Sequence, residues 1–299
     1  MHCFKVADVS FQLSADGRMK REPGICLQPY LTEAPETADV RIHVHDALPE
    51  SLQFLQDLPS ICDGNLDGQS LWSVARHEDG FVIRTYQHFS PDDQRFVTVT
   101  NKTFTDFQCY PLNYPVEDER YSVGPLSFPL LSLILYYQTL SYPMLFVHAS
   151  AVCDGDKGRV FTGVSGVGKS TISNTWHKAG YSLINDDRLM IRKNEEGRWI
   201  IHNTPMVYPQ APASVPLHSV FLLKQAPAYS LTPLRGAESV SRVLSNCIIQ
   251  GFDRDFLQHH LRTVLDMLSE TPVYEFGNLP EPGVIDFIRE YEAQGSQNS

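Results

Sequence analysis

The sequence predicts an α/β chain in two parts, and three observations carry that reading. The front half is rich in short alternating apolar runs broken by turn formers. The back half alternates strand and helix patterns, and a glycine-rich loop sits where one of its strands gives way to a helix. At 299 residues, 42% hydrophobic and 20% charged, the chain has ordinary globular composition and is long enough for two cores. We place these over residues 1–122, a β-rich N-terminal domain of unknown role, and residues 123–299.

In the front half, alternation marks strands at Arg41–Val44, within Arg41-Ile-His-Val-His45, at Gly80–Thr85 and at Phe96–Thr100. Turn formers separate them: Glu22-Pro-Gly24, Asp63-Gly64, Asp67-Gly68 and Ser90-Pro-Asp-Asp93. No catalytic constellation is recognisable there. From Val123 to Val147 the chain carries no formal charge, which can suggest a membrane span. Pro129, Gln138, Ser141 and Pro143 interrupt it well short of the roughly 20 residues a span requires. The expectation is a buried helix near Leu130–Leu140 and a buried strand at Met144–Val147.

The back half then reads strand (Arg159–Thr162), glycine loop, helix to about Ala179 with Gly180 as its cap, and strand (Tyr181–Ile184). Further strands are expected at Met190–Arg192, Trp199–His202, Ser219–Leu223 and Val273–Phe276. Helices are expected at Gly236–Cys247, Phe252–Leu268 and Pro282–Ala293, and only the Gly295–Ser299 tail reads as disordered.

The loop is Gly163-Val164-Ser165-Gly166-Val167-Gly168-Lys169-Ser170, followed by Thr171, and it satisfies the full GxxxxGK(S/T) pattern in its strand-to-helix context. Glycines at 163, 166 and 168 let backbone N–H groups turn inward as an anion nest at a helix N-terminus. Lys169 brings a compact positive charge to β- and γ-phosphates, and the Ser170 hydroxyl suits a magnesium ion. Asp186 and Asp187 follow the strand Tyr181–Ile184, so both carboxylates emerge at its C-terminal end beside the loop. That placement suits metal binding and proton transfer. His148 ends the strand Met144–Val147, and a parallel arrangement would bring it to the same sheet edge.

Other readings are narrowed by charge and cysteine usage. A formal net charge of −11 with no Lys/Arg stripe argues against nucleic-acid binding. Six cysteines lack metal-ligand spacing and read as reduced thiols of a cytoplasmic protein, and Met1–Gly17 does not read as a secretory signal.

These residues together resemble the catalytic domain of HPr kinase/phosphorylase and the wider HPr-kinase-like group, over roughly residues 143–280. His148 precedes Lys169 by 21 residues, and Asp186 and Asp187 follow it by 17 and 18, as in that family. The resemblance implies a P-loop kinase core of the HPr kinase C-terminal and PEP carboxykinase type, a mixed sheet with flanking helices. It implies ATP and Mg²⁺ as cofactors and a serine-type hydroxyl on a peptide, protein or metabolite as acceptor. Lys169 and Ser170 would hold phosphates and magnesium, Asp187 would accept the proton, Asp186 would support the metal, and His148 would contact phosphate or the groups that do. Family members often form homo-oligomers. The chain departs from the family in lacking a glutamate in Thr204–Gln210. A later arginine that stabilises transferred charge is represented only by two candidates, Arg235 and Arg254. Two alternatives stand beside the kinase: a nucleotide-binding regulator without catalysis, and a phosphoenolpyruvate carboxykinase-like enzyme.

Overall fold

The computed structural model describes residues 1–17, 24, 26–66, 68–86, 94–112, 126, 129–206, 210–279, 281 and 283–297. These form two compact units: Met1–Ser141 with Pro205–Ala211 and Gln250–Arg254, and Tyr142–Thr204 with Pro212–Ile249 and Asp255–Ser299. The turns expected at Glu22-Pro-Gly24 and Ser90–Asp93 lie largely outside the described residues, as do Val207, Tyr208 and Pro209.

The first unit is built on a sheet of β1 (His2–Val6), β2 (Val9–Ala15), β3 (Leu31–Thr32), β4 (Val40–Val44), β5 (Ser60–Leu66), β6 (Gln69–His77), β7 (Gly80–Tyr86), β8 (Gln94–Thr100) and β9 (Asp106–Pro111). Among the described residues its order is β3-β1-β2-β4-β9-β8-β7-β6-β5. Strands β5 to β9 form an antiparallel meander, whereas β2, β4 and β9 pair in parallel. Side-chain alternation sorts the faces of β4: Val40, Ile42 and Val44 are buried while Arg41 and His43 point the other way. The expected uncharged helix is present as α1 (Leu130–Gln138), nearly all of it buried. Among the described residues no helix is long and apolar enough to cross a membrane.

The second unit has mixed strands flanked by helices. In chain order these are β10 (Met144–Asp154), β11 (Lys157–Thr162), α2 (Lys169–Lys178), β12 (Ser182–Asn185), β13 (Arg188–Lys193), β14 (Trp199–Asn203), β15 (Ser214–Gln225), β16 (Ser230–Leu234), α3 (Gly236–Leu244), α4 (Arg254–Glu270), β17 (Val273–Asn278) and α5 (Val284–Gln297). The long strands β10 and β15 each serve two ladders. Their first halves join β13 and β14 in an antiparallel ladder, and their second halves join β11, with β12 beyond β10 and β17 and β16 beyond β15.

Both faces of this sheet are covered, which explains its near-continuous apolar strands. Val160, Val220 and Leu222 face a core shared with Val243 of α3 and Val264 and Met267 of α4. Their neighbours Phe161, Phe221 and Leu223 face a second core with Ile172 and Trp176 of α2 and Ile285 and Ile288 of α5. Truncating a fully buried Phe such as Phe161 to Ala would cost about 3–5 kcal/mol.

Three sequence expectations are corrected here. The strand at Met144–Val147 does not end at His148 but continues to Asp154. Its polar residues are absorbed: buried Ser150 donates to the Lys169 carbonyl at 3.0 Å, and Thr162 Oγ1 donates to the His148 carbonyl at 2.8 Å. Nor do β10 and β11 run parallel. Only Gly155-Asp156 connects them, too short for a parallel crossover, so they form an antiparallel hairpin with Gly155 at φ +65°. Finally, the C-terminal helix runs through Gly295 to Gln297, where disorder was expected.

Candidate functional site

The direction of the strands gathers the sequence-derived residues at one end of the second unit. β11 and β12 flank β10 and are both antiparallel to it, so their C-terminal ends point the same way. β15 and β17 run parallel to β11 and finish there too. The glycine loop leaves β11 at this end, the two aspartates leave β12, and His148 lies beside them because Ala149 pairs with Thr162 in the hairpin register.

Gly163, Gly166 and Gly168 all have positive φ. At Gly163, φ +148°, an added Cβ would lie 3.1 Å from Val167 Cγ1 and 3.2 Å from the Leu223 carbonyl, so the turn is closed by backbone proximity as well as torsion. Val167 anchors the loop by packing among Phe161, Ile172 and Trp176. Val164, Ser165 and Gly166 remain exposed at the crest, and α2 then starts directly at Lys169 with Gly168 as its N-cap. Ser170 and Thr171, in its first turn, are exposed.

Lys169 is 93% covered yet has no carboxylate within bonding distance among its described contacts. Its Nζ donates to the Gly163 carbonyl at 3.0 Å and the Val164 carbonyl at 3.2 Å. Burial pulls its pKa below the ordinary lysine value, and the negative charge of Asp187 opposes that only in part. Lys169 is thus a cation held over the loop by neutral oxygens.

The aspartate pair is set by the residue before it. Asn185, fully buried, accepts through Oδ1 from the backbone N–H of Asp186 (2.7 Å) and of Asp187 (3.1 Å) and donates through Nδ2 to the Thr204 carbonyl at 3.3 Å. This Asx turn fixes how both carboxylates leave the strand. Asp187 Oδ1 lies 3.4 Å from His148 Nε2, and its Oδ2 accepts from Arg188 Nε at 2.8 Å. Its carbonyl accepts from the Ala149 N–H at 3.0 Å, tying the turn to β10. Ser170 Oγ reaches the Asp186 carbonyl at 3.5 Å. The His148 pKa is lowered, first by burial and next by the Lys169 charge, with Asp187 pulling the other way.

Lys169, Ser170, Asp186, Asp187 and His148 therefore share one end of one sheet. Arg235 does not join them. It follows Leu234, whose partner is Val273 at the start of β17, and so sits at the opposite end of the strands. Arg254 opens α4 and has no described contact with these residues. The arginine at the site is Arg188, which the sequence reading passed over. It also passed over Asn185, although Asn-Asp-Asp directly after a strand signals an Asx turn, and Asn278. Asn278 ends β17, is 94% covered, and its Nδ2 would lie 3.5 Å from a Cβ on Gly168; its Oδ1 has no partner. No local pattern could have revealed that residue. A groove elsewhere in this unit, lined by Leu234, Val240, Leu244, Leu261, Leu265 and Tyr291, carries none of the groups that meet at this end.

No protein-family model matches the sequence, and no curated protein matches it. Solved structures do match. Among 48 such chains is the "Structure of the Hpr(Ser) kinase/phosphatase from Coxiella burnetii", which is 13% identical, with a TM-score of 0.31, over 50% of this chain and 98% of that chain. A likeness that distant carries no argument about chemistry, so the functional reading rests on the site itself.

Proposed function

We propose that this chain is an ATP- and Mg²⁺-dependent phosphotransferase of the HPr-kinase-like type, with a serine-type hydroxyl on a peptide, protein or metabolite as acceptor. The observation that carries the reading is the convergence of an anion nest, a buried ammonium and an oriented carboxylate–histidine pair on one sheet edge. The residues fit a polyphosphate: the loop presents a helix N-terminus, Lys169 is buried against replaceable carbonyl partners, and the Asn278 Nδ2 donor stands beside Gly168. Magnesium bound with the nucleotide would supply charge neutralisation at the β- and γ-oxygens, and Ser170 and Asp186 are the residues that would hold it.

The chain's own groups divide the remaining work. Backbone amides of the Gly163–Ser170 loop bind the phosphates and Lys169 balances the charge that builds on transfer. Asp187 takes the proton from the acceptor hydroxyl. Its orientation is held by Arg188 on one oxygen and His148 near the other. Positioning and electrostatics supply most of such catalysis.

The test is incubation of the purified chain with γ-labelled ATP and host extract, beside a direct nucleotide-binding measurement. The expected result is label on a discrete acceptor with the native protein. In Lys169→Ala that transfer falls at least ~10²-fold while the fold is retained. Full transfer by Lys169→Ala would overturn the mechanism, and binding without transfer to any acceptor would favour the nucleotide-binding regulator.

A further inference from the structure

A second cluster of chemistry-bearing side chains lies in the first unit, on the face of the sheet opposite Val40, Ile42 and Val44. There β2, β4 and β9 run parallel as neighbours. The register pairs Ser14 with His43 and His43 with Gln108, and the two-residue period puts Asp16, His45, Asp106 and Tyr110 on the same face. Ligand atoms of Asp16, His43 and His45 all lie within 4.8 Å of one another, and each residue is half-buried.

Hydrogen bonding on the far side of each ring decides what faces inward. Gln108 Nε2 donates to Asp106 Oδ1 at 2.6 Å, which turns Gln108 Oε1 toward His45 Nε2 at 2.8 Å. An amide oxygen can only accept, so His45 Nε2 carries its hydrogen and Nδ1 is left with a lone pair. His43 Nδ1 lies 2.8 Å from Ser14 Oγ, a hydroxyl that can accept from it while reaching the Ile42 carbonyl at 3.4 Å; in the tautomer with Nδ1–H donating to Ser14, Nε2 presents its lone pair inward. The two inner ring nitrogens both face Asp16: His43 Nε2 is 3.0 Å from Oδ1 and His45 Nδ1 is 3.4 Å from Oδ2. The Asp46 N–H, 3.3 Å from Oδ2, helps hold that carboxylate in place. In that tautomer three acceptors converge on one point, and a metal ion placed between them satisfies all three at once.

We infer that Asp16, His43 and His45 form a binding site for a divalent first-row transition ion of the Zn²⁺ class. Two imidazoles and one carboxylate are the donor set such ions take. The 3.0 and 3.4 Å separations match neighbouring ligands around an ion with bonds of about 2.1 Å. Gln108 fixes the His45 tautomer from behind and Ser14 gives His43 Nδ1 a partner, as outer groups do in metal sites. The ring of Tyr110, stacked on His45 with centroids 4.4 Å apart, restrains its orientation. Three protein ligands leave coordination positions open to water or a further ligand. The inference is independent of the phosphotransfer reading, since none of these residues belongs to the second unit.

The experiment is titration of the untagged, metal-free full chain with Co²⁺ and then Zn²⁺, without nucleotide, following the visible Co²⁺ spectrum and the melting temperature. Expected is one equivalent of Co²⁺ bound through nitrogen and oxygen without thiolate charge-transfer bands, displaced by Zn²⁺, with a rise in melting temperature. Gln108→Leu should weaken binding ~10-fold or more by freeing the His45 tautomer. His43→Gln and His45→Gln should weaken it further, and Lys169→Ala should leave it unchanged. Circular dichroism establishes that each variant is folded. The assignment is overturned if the native chain binds neither ion, if a His43→Gln/His45→Gln double variant binds equally well, or if nitrogen NMR shows both rings doubly protonated at pH 7.5 with Zn²⁺ present.

Discussion

The two ends of β11 both bear a buried cation, and the chain treats them in opposite ways. At the N-terminal end Arg159, its side chain 2% exposed, is fully engaged. It donates to Glu292 at 3.1 and 2.6 Å and to Asp154 at 3.2 Å, and it stacks on the Trp176 ring 5.0 Å away. Glu292 in turn accepts from Ser219 Oγ. At the C-terminal end Lys169 is almost as buried but is held only by two loop carbonyls, with the oxygen of Asn278 unpartnered nearby. A cation consumed by the fold's own carboxylates fastens β11 to α5. A cation held beside open glycine backbone has no carboxylate of the fold bonded to it.

Substitutions can break this contrast from either side. The largest effect is expected at Asp187, where Asp187→Asn should slow phosphoryl transfer by roughly 10²–10⁴-fold. Its melting temperature should barely move, which steady-state kinetics and calorimetry would establish together. At the other end, Arg159→Met takes the guanidinium from the buried Glu292 carboxylate and should cost about 3–5 kcal/mol in denaturant melts, with transfer per folded molecule unchanged. Restoration of most of that stability by adding Glu292→Leu would confirm that the pair fastens structure and serves no chemistry.

A smaller change sharpens the C-terminal side. Asn278→Ala removes an amide whose oxygen has no partner, so stability should change little, while loss of its Nδ2 donor beside Gly168 lowers nucleotide affinity several-fold, about 1 kcal/mol. Unaltered affinity by calorimetry would remove Asn278 from the site.

The smallest effect is electrostatic. Because burial and Lys169 depress the His148 pKa and Asp187 raises it, NMR titration should find that pKa higher in Lys169→Ala and lower in Asp187→Asn. The stability sign follows. A histidine whose folded pKa is depressed lets the unfolded chain take the proton first, so its contribution is complete above the ordinary value of about 6.5 and is lost as pH falls through the folded value. His148→Gln should therefore lose less stability between pH 7 and 5 than the native chain. A residual slope should remain from His218 and His260, which burial also depresses.

Much of the site was legible before any coordinates. Glycine torsions, the lysine after them and the flanking strand and helix patterns are local properties, and Gly163–Ser170 stands between β11 and α2 as the pattern required. Strand lengths were less legible. His148 and Ser150 look like a break in β10 until the carbonyl and hydroxyl that satisfy them are known. The choice between Arg235 and Arg188 needed strand direction, which sequence spacing does not contain.

Residue order alone therefore settled the glycine loop and the strand and helix that flank it, because torsional freedom and periodicity act over a few residues. Only folding decided that Asp187 meets His148 while Arg235 stands at the far end, and that Asp16, some 27 residues before His43, turns its carboxylate onto two imidazoles. Such meetings depend on which strands pair and in what register, and that is fixed by the burial of whole faces, not by any short stretch of chain.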